Sequence, residues 1–341
     1  MDKTFQTRRQ SLLQLAALLL APALPVSAQD VDRAPIKLTT TGAAASGFFG
    51  VVIEALNAIY RDSYPGSTVT FVPNSVGGGM LAAAEGKADV VIALPPVEIQ
   101  RALAGQEPFH KSLKGKLLHA MTILEELDFG MIATRDWADK HGIRSFADLA
   151  RVKPPVRLGA SVRATFYIND AVDEVLRHYG TDLKTIDRWG GRVYYNASGT
   201  NMQDLRDGKL DMVVTAGLQP DRRLQEVASN VALVWIGVDK AVLEAAAAKL
   251  HLQVATMPKS HYGFLERDEL TLRAPSFTAV GAHVPAQTVY KMLKAIDLNM
   301  ERVRAIHPHF KNFSVQYMAK PNPGLPLHPG AERFYREKGM L

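Results

Sequence analysis

A pair of matching segments constrains the fold of this chain more than any other feature of its sequence. Met80–Ala93 reads MLAAAEGKADVVIA, and Met202–Thr215 reads MQDLRDGKLDMVVT. One constant offset aligns five identical residues, which are Met80, Gly86, Lys87, Asp89 and Val91 in the first segment and Met202, Gly208, Lys209, Asp211 and Val213 in the second. Each segment predicts a short helix, a Gly-Lys turn and a buried strand. We therefore expect two similar halves, although the same pattern also occurs in unrelated helix-turn-strand units.

A loop rich in small polar residues precedes each predicted helix, at Asn74–Gly79 and at Asn196–Asn201. The N-terminus of a helix offers free backbone N–H groups and the positive end of the helix dipole, which together suit an anion. Two such loops suggest two lobes that face one ligand.

The first half alternates predicted strands and helices. Ile36–Thr39 reads as a strand, Thr40–Gly50 as a loop that opens a helix, and Val69–Val72 and Val90–Leu94 as further strands. This alternation is typical of an α/β fold with a parallel sheet, in which the ligand crevice lies at the carboxyl ends of the strands.

Phe48 and Phe49 lie at the start of the first helix. At the mouth of the loop they would offer an apolar surface to a ligand. Packing of the helix start against the core is the alternative interpretation.

The second half repeats this arrangement, because the strand Val156–Ala160 leads into the loop Ser161–Phe166. Arg163 in this loop could hold a carboxylate through two parallel hydrogen bonds. The alternative is a surface arginine that pairs with Asp170 or Asp173.

Two carboxylates, Glu125 and Glu126, lie between the apolar segments Leu117–Ile123 and Phe129–Thr134. They could bind a ligand amine or a metal, or they could belong to a solvated turn, since acidic side chains are usually exposed.

The candidate ligand-binding residues come from five short segments. The last of them follows the strand Met212–Thr215, where a glycine lets a ligand approach the backbone closely. The full set is Thr40, Thr41, Ser46, Gly47, Phe48, Phe49, Asn74, Ser75, Val76, Gly77, Glu125, Arg163, Ala164, Thr165, Phe166, Ala216 and Gly217.

The N-terminus reads as an export signal. Paired arginines, Arg8 and Arg9, precede the apolar run Leu12–Leu24 and the small residues Val26-Ser27-Ala28. We predict a signal peptide over residues 1–28, of the twin-arginine type and cleaved after Ala28, so that the mature protein is periplasmic. A Sec signal and a retained anchor are the alternatives.

Charge and cysteine content exclude several classes of protein. The net charge of +6 falls to +4 when the signal peptide, which carries +2, is removed. No cluster of Lys and Arg is interleaved with aromatic residues, so we expect no nucleic-acid partner. The chain has no cysteine, which excludes disulfides and Cys-zinc sites. We expect a monomer.

Motifs of catalysis are missing from the sequence. It contains neither a G-x-S-x-G nucleophile elbow nor an H-E-x-x-H metal motif. His307-Pro308-His309 is the only close histidine pair, and its proline favours a structural turn. We therefore predict no catalytic residue, no metal and no cofactor, and a binding protein rather than an enzyme. An exported enzyme and a receptor that presents its ligand to a membrane sensor are the alternatives.

Several motifs resemble the TAXI subfamily of extracytoplasmic solute receptors of TRAP transporters. They are the loop with paired aromatics in Thr39–Phe49, the segment Ser75–Asp89 that ends in G-x-A-D, the Asp-Gly turn and Ala-Gly of Arg206–Gly217, and His307-Pro308. The most specific is the C-terminal LPLHPGAERFYREKG of Leu325–Gly339. The resemblance extends from Ile36 to Gly339.

This resemblance implies a two-lobed type II periplasmic-binding-protein fold with crossing hinge strands. By analogy, lobe I comprises residues 31–126 plus 273–341, and lobe II comprises residues 127–272. The resemblance also implies a small carboxylate-bearing ligand, such as an organic acid or amino acid. The ligand would pass to a membrane permease pair that an ion gradient drives.

The sequence departs from the TAXI pattern at three places, all on the expected ligand face. Ala43–Ala45 replace glycines, Gly77–Gly79 replace a Glu-Asn pair, and Pro95-Pro96 replace a polar pair. These changes affect the expected ligand more than the expected fold.

Overall fold

The computed structural model describes residues 33–45, 48–163 and 166–341, without the side chain of Phe166. The predicted signal peptide, residues 1–28, lies outside the described residues. The same holds for Ser46, Gly47, Ala164 and Thr165 of the candidate site. Pro35–Leu341 forms one compact unit.

Ten strands of the described chain share one mixed sheet. They are β1 (Lys37–Thr41), β2 (Thr68–Phe71), β3 (Val90–Leu94), β4 (Leu117–Thr134), β5 (Arg157–Ser161), β6 (Arg192–Asn196), β7 (Met212–Gly217), β8 (Leu233–Trp235), β9 (Gln253–Met257) and β10 (Glu269–Gly281).

The α-helices of the described chain flank these strands. They are α1 (Phe48–Ser63), α2 (Val76–Ala84), α3 (Pro96–Ala104), α4 (Arg135–His141), α5 (Phe146–Val152), α6 (Phe166–His178), α7 (Ser198–Arg206), α8 (Arg222–Ala228), α9 (Lys240–Leu250), α10 (Ala286–Leu298), α11 (Met300–Arg304), α12 (Val315–Met318) and α13 (Pro329–Glu337). Short 3₁₀ helices cover Leu183–Trp189, Lys259–His261 and Pro308–Phe310.

The sheet has a symmetric order, β2-β1-β3-β10-β4-β7-β5-β6. On one side β1 lies parallel to β2 and β3, and on the other β5 lies parallel to β6 and β7. β10 runs antiparallel to β3, and β4 runs antiparallel to β7. The alternation of strands and helices therefore builds two parallel units of the same topology.

The sequence repeat has the same local structure in both copies. Helices α2 and α7 each have nine residues and begin at corresponding positions. Gly86 and Gly208 have φ angles of 73° and 67°, in the left-handed region that glycine adopts without strain. The expectation of similar helix-turn-strand units is confirmed at this level.

The repeated aspartate ties each unit together. Asp89 accepts a hydrogen bond from the backbone N–H of Thr39 at 2.7 Å, and its own N–H donates to the Thr39 carbonyl at 2.8 Å. Asp211 does the same with Arg157, at 2.8 and 2.9 Å. Each aspartate thus satisfies the backbone of the neighbouring strand, which explains the motif without a ligand.

The repeated apolar positions anchor two separate clusters. Met80 and Val91 lie in a cluster with Phe109 and Phe277, whereas Met202 and Val213 lie in a cluster with Trp235 and other residues. Each unit therefore buries its own apolar residues against its own helices.

Strands β4 and β10 join the two units. β4 is one continuous strand of 18 residues, so Glu125 and Glu126 lie on a strand and not in a solvated turn. The segment stays extended because β10 pairs with it from Leu117 to Asp128 and β7 pairs with it from Asp128 to Ala133. Where the two ladders meet, Arg273 donates to both carboxylate oxygens of Asp128, at 2.5 and 2.7 Å.

The C-terminal motif has a structural role. His328 Nδ1 accepts from the N–H of Gly330 at 3.1 Å, and Nε2 donates to the Val284 carbonyl at 3.0 Å. A Cβ at Gly330 would lie 2.1 Å from the Ala286 carbonyl oxygen. The residues His328, Pro329 and Gly330 of this motif therefore allow the last helix, α13, to pack closely against α10.

No helix in the described part of the chain combines the length and the apolar character that crossing a membrane requires.

We predict that Asp89→Ala and Asp211→Ala each lower the free energy of unfolding by about 1–3 kcal/mol, because a part-buried backbone N–H loses its acceptor. Urea denaturation measures this change. Asp207→Ala is the matched control, since this aspartate is exposed and, within the described residues, its carboxylate pairs only with its neighbours Arg206 and Lys209. It should change stability by less than about 0.5 kcal/mol. Equal effects for all three variants would contradict the structural role of the repeated aspartate.

Candidate functional site

Two predicted segments meet at one cavity, which we call the Phe48 cavity. Phe48 and Phe49 at the start of α1 and Ala216 and Gly217 at the end of β7 line this cavity, whose volume is about 490 Å³. A Cβ at Gly217 would meet no atom within 4 Å, so the backbone there faces open space. The sequence thus finds two walls of a cavity large enough for a small organic molecule.

Aromatic side chains form one wall of the Phe48 cavity. The Phe48 ring lies 5.2 Å from the rings of Phe49 and His307, and it stacks on Phe310 at 6.3 Å. Phe310 is fully buried, so Phe48 joins the core to the cavity. The two interpretations of the paired phenylalanines, an apolar surface for a ligand and packing of the helix start against the core, therefore each describe part of their surroundings.

Charged side chains line the Phe48 cavity as well. Arg223 is paired with Asp221 through two hydrogen bonds of 3.1 and 2.6 Å, which raise the pKa of the Arg223 guanidinium. Arg222 has no acidic partner among the described residues, and it is exposed. The cavity therefore holds one paired and one unpaired arginine, an arrangement that attracts an anion.

A histidine pair completes the lining. His307 Nδ1 accepts from the backbone N–H of His309 at 3.4 Å, and the two rings stack at 5.3 Å. Burial, and then the charge of His309, hold the pKa of His307 below its usual value. His309 Nδ1 lies 2.9 Å from a carboxylate oxygen of Glu126. The pair shapes a turn, and no cluster that could hold a metal is present among the described residues.

Arg163 lines a different cavity, of about 660 Å³, which we call the Arg163 cavity. Its guanidinium lies 3.8 Å from the centre of the Tyr195 ring. The alternative partners have other contacts, because Asp170 pairs with Arg101 and Asp173 pairs with Arg177. The structure therefore does not bring Arg163 together with Phe48 and Gly217.

Of the remaining predicted residues, those whose side chains the structure describes lie outside the lining of both cavities. Thr40 is buried and accepts from Asn57 at 2.9 Å, and Thr41 is buried beside it. Ser75 caps α2 by accepting from Gly78 at 3.1 Å. Gly77 is buried near Pro108. Glu125 forms an ion pair with Lys320. Each of these residues therefore has a structural role near its own position. In the same segment as Ser75, Asn74 is exposed and Val76 is half-buried.

Sequence reasoning missed several residues of the Phe48 cavity. Leu127 and Tyr167 gave no signal, because their exposure to the cavity depends on how the two units pack. Arg222 and Arg223 follow the predicted Ala216-Gly217 closely and could have been found from that position. The sequence places His307 in a predicted turn and in a motif that resembles the TAXI receptors, but not in the candidate site.

Residues 40–339 match the NMT1-like family. The chain belongs to the NMT1-like family. A comparison with curated proteins gives no match.

The solved structures that resemble this NMT1-like chain include BugD and Rpa4515. The periplasmic binding protein BugD is 16% identical with a TM-score of 0.50, over 82% of this chain and 85% of that chain. Rpa4515 of R. palustris, solved with adipate, is 14% identical with a TM-score of 0.51, over 89% of this chain and 94% of that chain. At these identities the likeness shows the fold alone. The NMT1-like chain has the two-lobed type II periplasmic-binding-protein fold with crossing strands, as predicted.

We predict that His309→Ala raises the pKa of His307, because it removes the positive charge that His309 places beside that ring. The pKa of His307 should stay below its usual value, since burial is the larger cause. A pH titration of the His307 ring resonances by NMR measures both effects. The matched control is His283→Ala, since His283 pairs with Asp89 in another part of the fold. An unchanged His307 pKa in His309→Ala would contradict this description of the pair.

Proposed function

We propose that the chain is a periplasmic solute-binding protein that captures a small carboxylate-bearing ligand between two lobes. Lobe I comprises residues 31–126 plus 273–341, and lobe II comprises residues 127–272. The observation that carries the proposal is the Phe48 cavity, because residues of both proposed lobes line it. Phe48 and His307 belong to lobe I, and Tyr167, Gly217 and Arg222 belong to lobe II.

The lining of this cavity suits an organic acid. Arg222 supplies a positive charge without a partner among the described residues, and Phe48, Phe49 and Leu127 supply an apolar surface. A ligand that contacts both lobes favours their closed arrangement, because only that arrangement offers every contact at once. The cost of excluding water from the cavity is then offset by contacts with the ligand.

Export and delivery form the second part of the proposal. Residues 1–28 act as a cleaved signal peptide, and the mature protein works in the periplasm as a monomer. The motifs that resemble the TAXI receptors support delivery of the ligand to the permease pair of a TRAP transporter. The ligand leaves chemically unchanged, so the protein is not an enzyme and needs no cofactor.

Two alternatives remain separable by experiment. An exported enzyme on the same fold would convert its ligand, so recovery of unaltered ligand after prolonged incubation excludes it. A receptor for a membrane sensor would use the same closure, and its gene would lie beside a sensor gene and not beside genes for a permease pair.

We predict that Arg222→Ala weakens ligand binding by about 1.5–3 kcal/mol, the scale of a hydrogen bond to a charged group. The probe is the organic acid or amino acid that raises the melting temperature most in a screen, because binding to the folded state stabilises it. Titration calorimetry measures the affinity of the purified variants.

Arg163→Ala is the competing variant, since Arg163 is the cation that sequence reasoning selects. Arg206→Ala is the control for charge alone, because this exposed arginine pairs with Asp207 and does not line the Phe48 cavity. A loss of binding in Arg163→Ala with none in Arg222→Ala would move the ligand to the Arg163 cavity. Unchanged binding in both Arg163→Ala and Arg222→Ala would show that neither arginine contacts the ligand.

A further inference from the structure

An ion pair outside the Phe48 cavity joins two helices that belong to different proposed lobes. Arg101 lies on α3 in lobe I, and Asp170 lies on α6 in lobe II. The Nε and one terminal nitrogen of Arg101 donate to the two carboxylate oxygens of Asp170, at 2.7 and 2.8 Å. Two parallel hydrogen bonds between charged groups are stronger and geometrically more specific than one bond. The pair therefore ties one proposed lobe to the other at this point.

The guanidinium of Arg101 is also held from its own side. Its other terminal nitrogen donates to the backbone carbonyl of Glu107 at 3.1 Å, and Glu107 belongs to lobe I as well. This contact restricts the side chain of Arg101 whether or not Asp170 is near. Less rotamer freedom is then lost when the pair forms, which lowers the entropy that the contact costs.

The pair lies close to a wall of the Phe48 cavity along α6. Tyr167 lines that cavity and precedes Asp170 by about one helical turn. The backbone N–H of Tyr167 also donates to the side chain of Glu98 on α3, at 3.2 Å. Arg101 and Asp170 themselves line the Arg163 cavity and not the Phe48 cavity. The pair can therefore position a wall of the Phe48 cavity without touching a ligand held there.

The exposure of the pair suits a contact that forms and breaks. The side chains of Arg101 and Asp170 are 22% and 26% exposed, whereas the Asp128 side chain, on a strand that joins the lobes, is almost fully buried. Burial raises the pKa of the Asp170 carboxyl, and the hydrogen bonds from Arg101 lower it, so desolvation offsets part of the attraction. Breaking such a partly exposed pair returns both charges to water at a modest cost.

We propose that Arg101 and Asp170 are positioning residues that hold the two lobes in the closed arrangement from outside the Phe48 cavity. This inference rests on the proposed function and deepens it, because it names residues that govern closure. The open arrangement lacks the pair, so the pair stabilises the closed arrangement alone and populates it in part of the molecules before a ligand binds. Since the ligand needs the closed arrangement, its apparent dissociation constant varies inversely with the closed fraction.

A distance between the lobes tests this inference without any ligand. The chain has no cysteine, so nitroxide labels attach only at introduced cysteines. Lys114→Cys in lobe I and Arg188→Cys in lobe II provide two exposed positions. Pulsed electron paramagnetic resonance on the mature protein measures the distribution of distances between the labels. The component at the separation that this structure gives is the closed arrangement, and its share is the closed fraction.

Two single variants and their combination remove the pair. Asp170→Asn keeps the size of the side chain and removes its charge, and Arg101→Ala removes the other partner. Each should lower the ratio of closed to open protein at least about threefold, the scale of a partly exposed two-bond ion pair. The double variant should have no larger effect than either single variant, because the same interaction is lost. Either single variant is sufficient if the other fails to fold.

Asp62→Asn is the matched control for the loss of one negative charge. Asp62 pairs with Arg302 at 2.7 Å, and both residues belong to lobe I. Breaking this pair leaves the contact between the lobes intact, so the closed fraction should stay at its wild-type value.

Ligand affinity gives a second readout. Titration calorimetry with hexanoate, adipate and glutamate identifies which of these carboxylates binds the wild-type protein most tightly. Its dissociation constant should rise in Asp170→Asn and in Arg101→Ala by the factor by which the closed fraction falls, and it should not rise in Asp62→Asn. A role in stability alone would lower the melting temperature without this proportionality.

The outcomes separate this inference from the proposed function. Unchanged distance distributions in both single variants would overturn the inference, as would additive effects in the double variant, an equal effect in Asp62→Asn, or a ligand-free wild type without the closed component. Failure of all three carboxylates to bind would overturn the carboxylate ligand of the proposed function, while the distance measurement still decides the role of the pair. One fixed distance in every variant, with and without a bound carboxylate, would overturn lobe closure as well.

Discussion

The antiparallel ladder between β4 and β10 is the constraint on which the rest of the structure depends. Both strands continue from one parallel unit into the other, and Asp128 and Arg273 face each other where they do so. Asp128 is 3% exposed, so its charge needs this partner. Removing one member of such a buried pair costs about 3–5 kcal/mol, because the other charge stays buried and unbalanced. The ladder therefore fixes how the two units lie together.

The site follows from this arrangement. Asp89 and Asp211 each accept a hydrogen bond from the backbone of a neighbouring strand, and the apolar residues of the repeat are buried in the two cores. Neither the aspartates nor these apolar residues are therefore available to a ligand. The loops beyond the strands carry the variable residues. Phe48 and Gly217 reach the same cavity only because β4 and β10 place the carboxyl ends of β1 and β7 on opposite sides of one space.

The sequence predicts the local units better than it predicts their assembly. Periodicity and the Gly-Lys-x-Asp repeat locate α2, α7, β3 and β7, because these elements are formed by neighbouring residues. Leu124–Asp128 was open to interpretation as a turn, since strand pairing with β10 depends on residues about 150 positions away and leaves no local signal.

Side-chain partners between distant helices are equally hard to predict. Arg163 has the right chemistry for an anion and the right kind of loop, yet it lies on Tyr195 beside another cavity. Glu98 reads as an ordinary acidic residue in a first helical turn, and its contact with Tyr167 joins segments 69 positions apart. Such contacts follow from tertiary packing and not from local sequence.

The central claim is that two lobes, joined at β4 and β10, close on one small anionic ligand. Small-angle X-ray scattering of the mature protein, with and without the ligand that raises its melting temperature most, tests this claim most directly. The account predicts a smaller radius of gyration at saturating ligand and no change in Arg222→Ala at the same concentration. Superimposable scattering curves of the wild-type protein with and without bound ligand would contradict it.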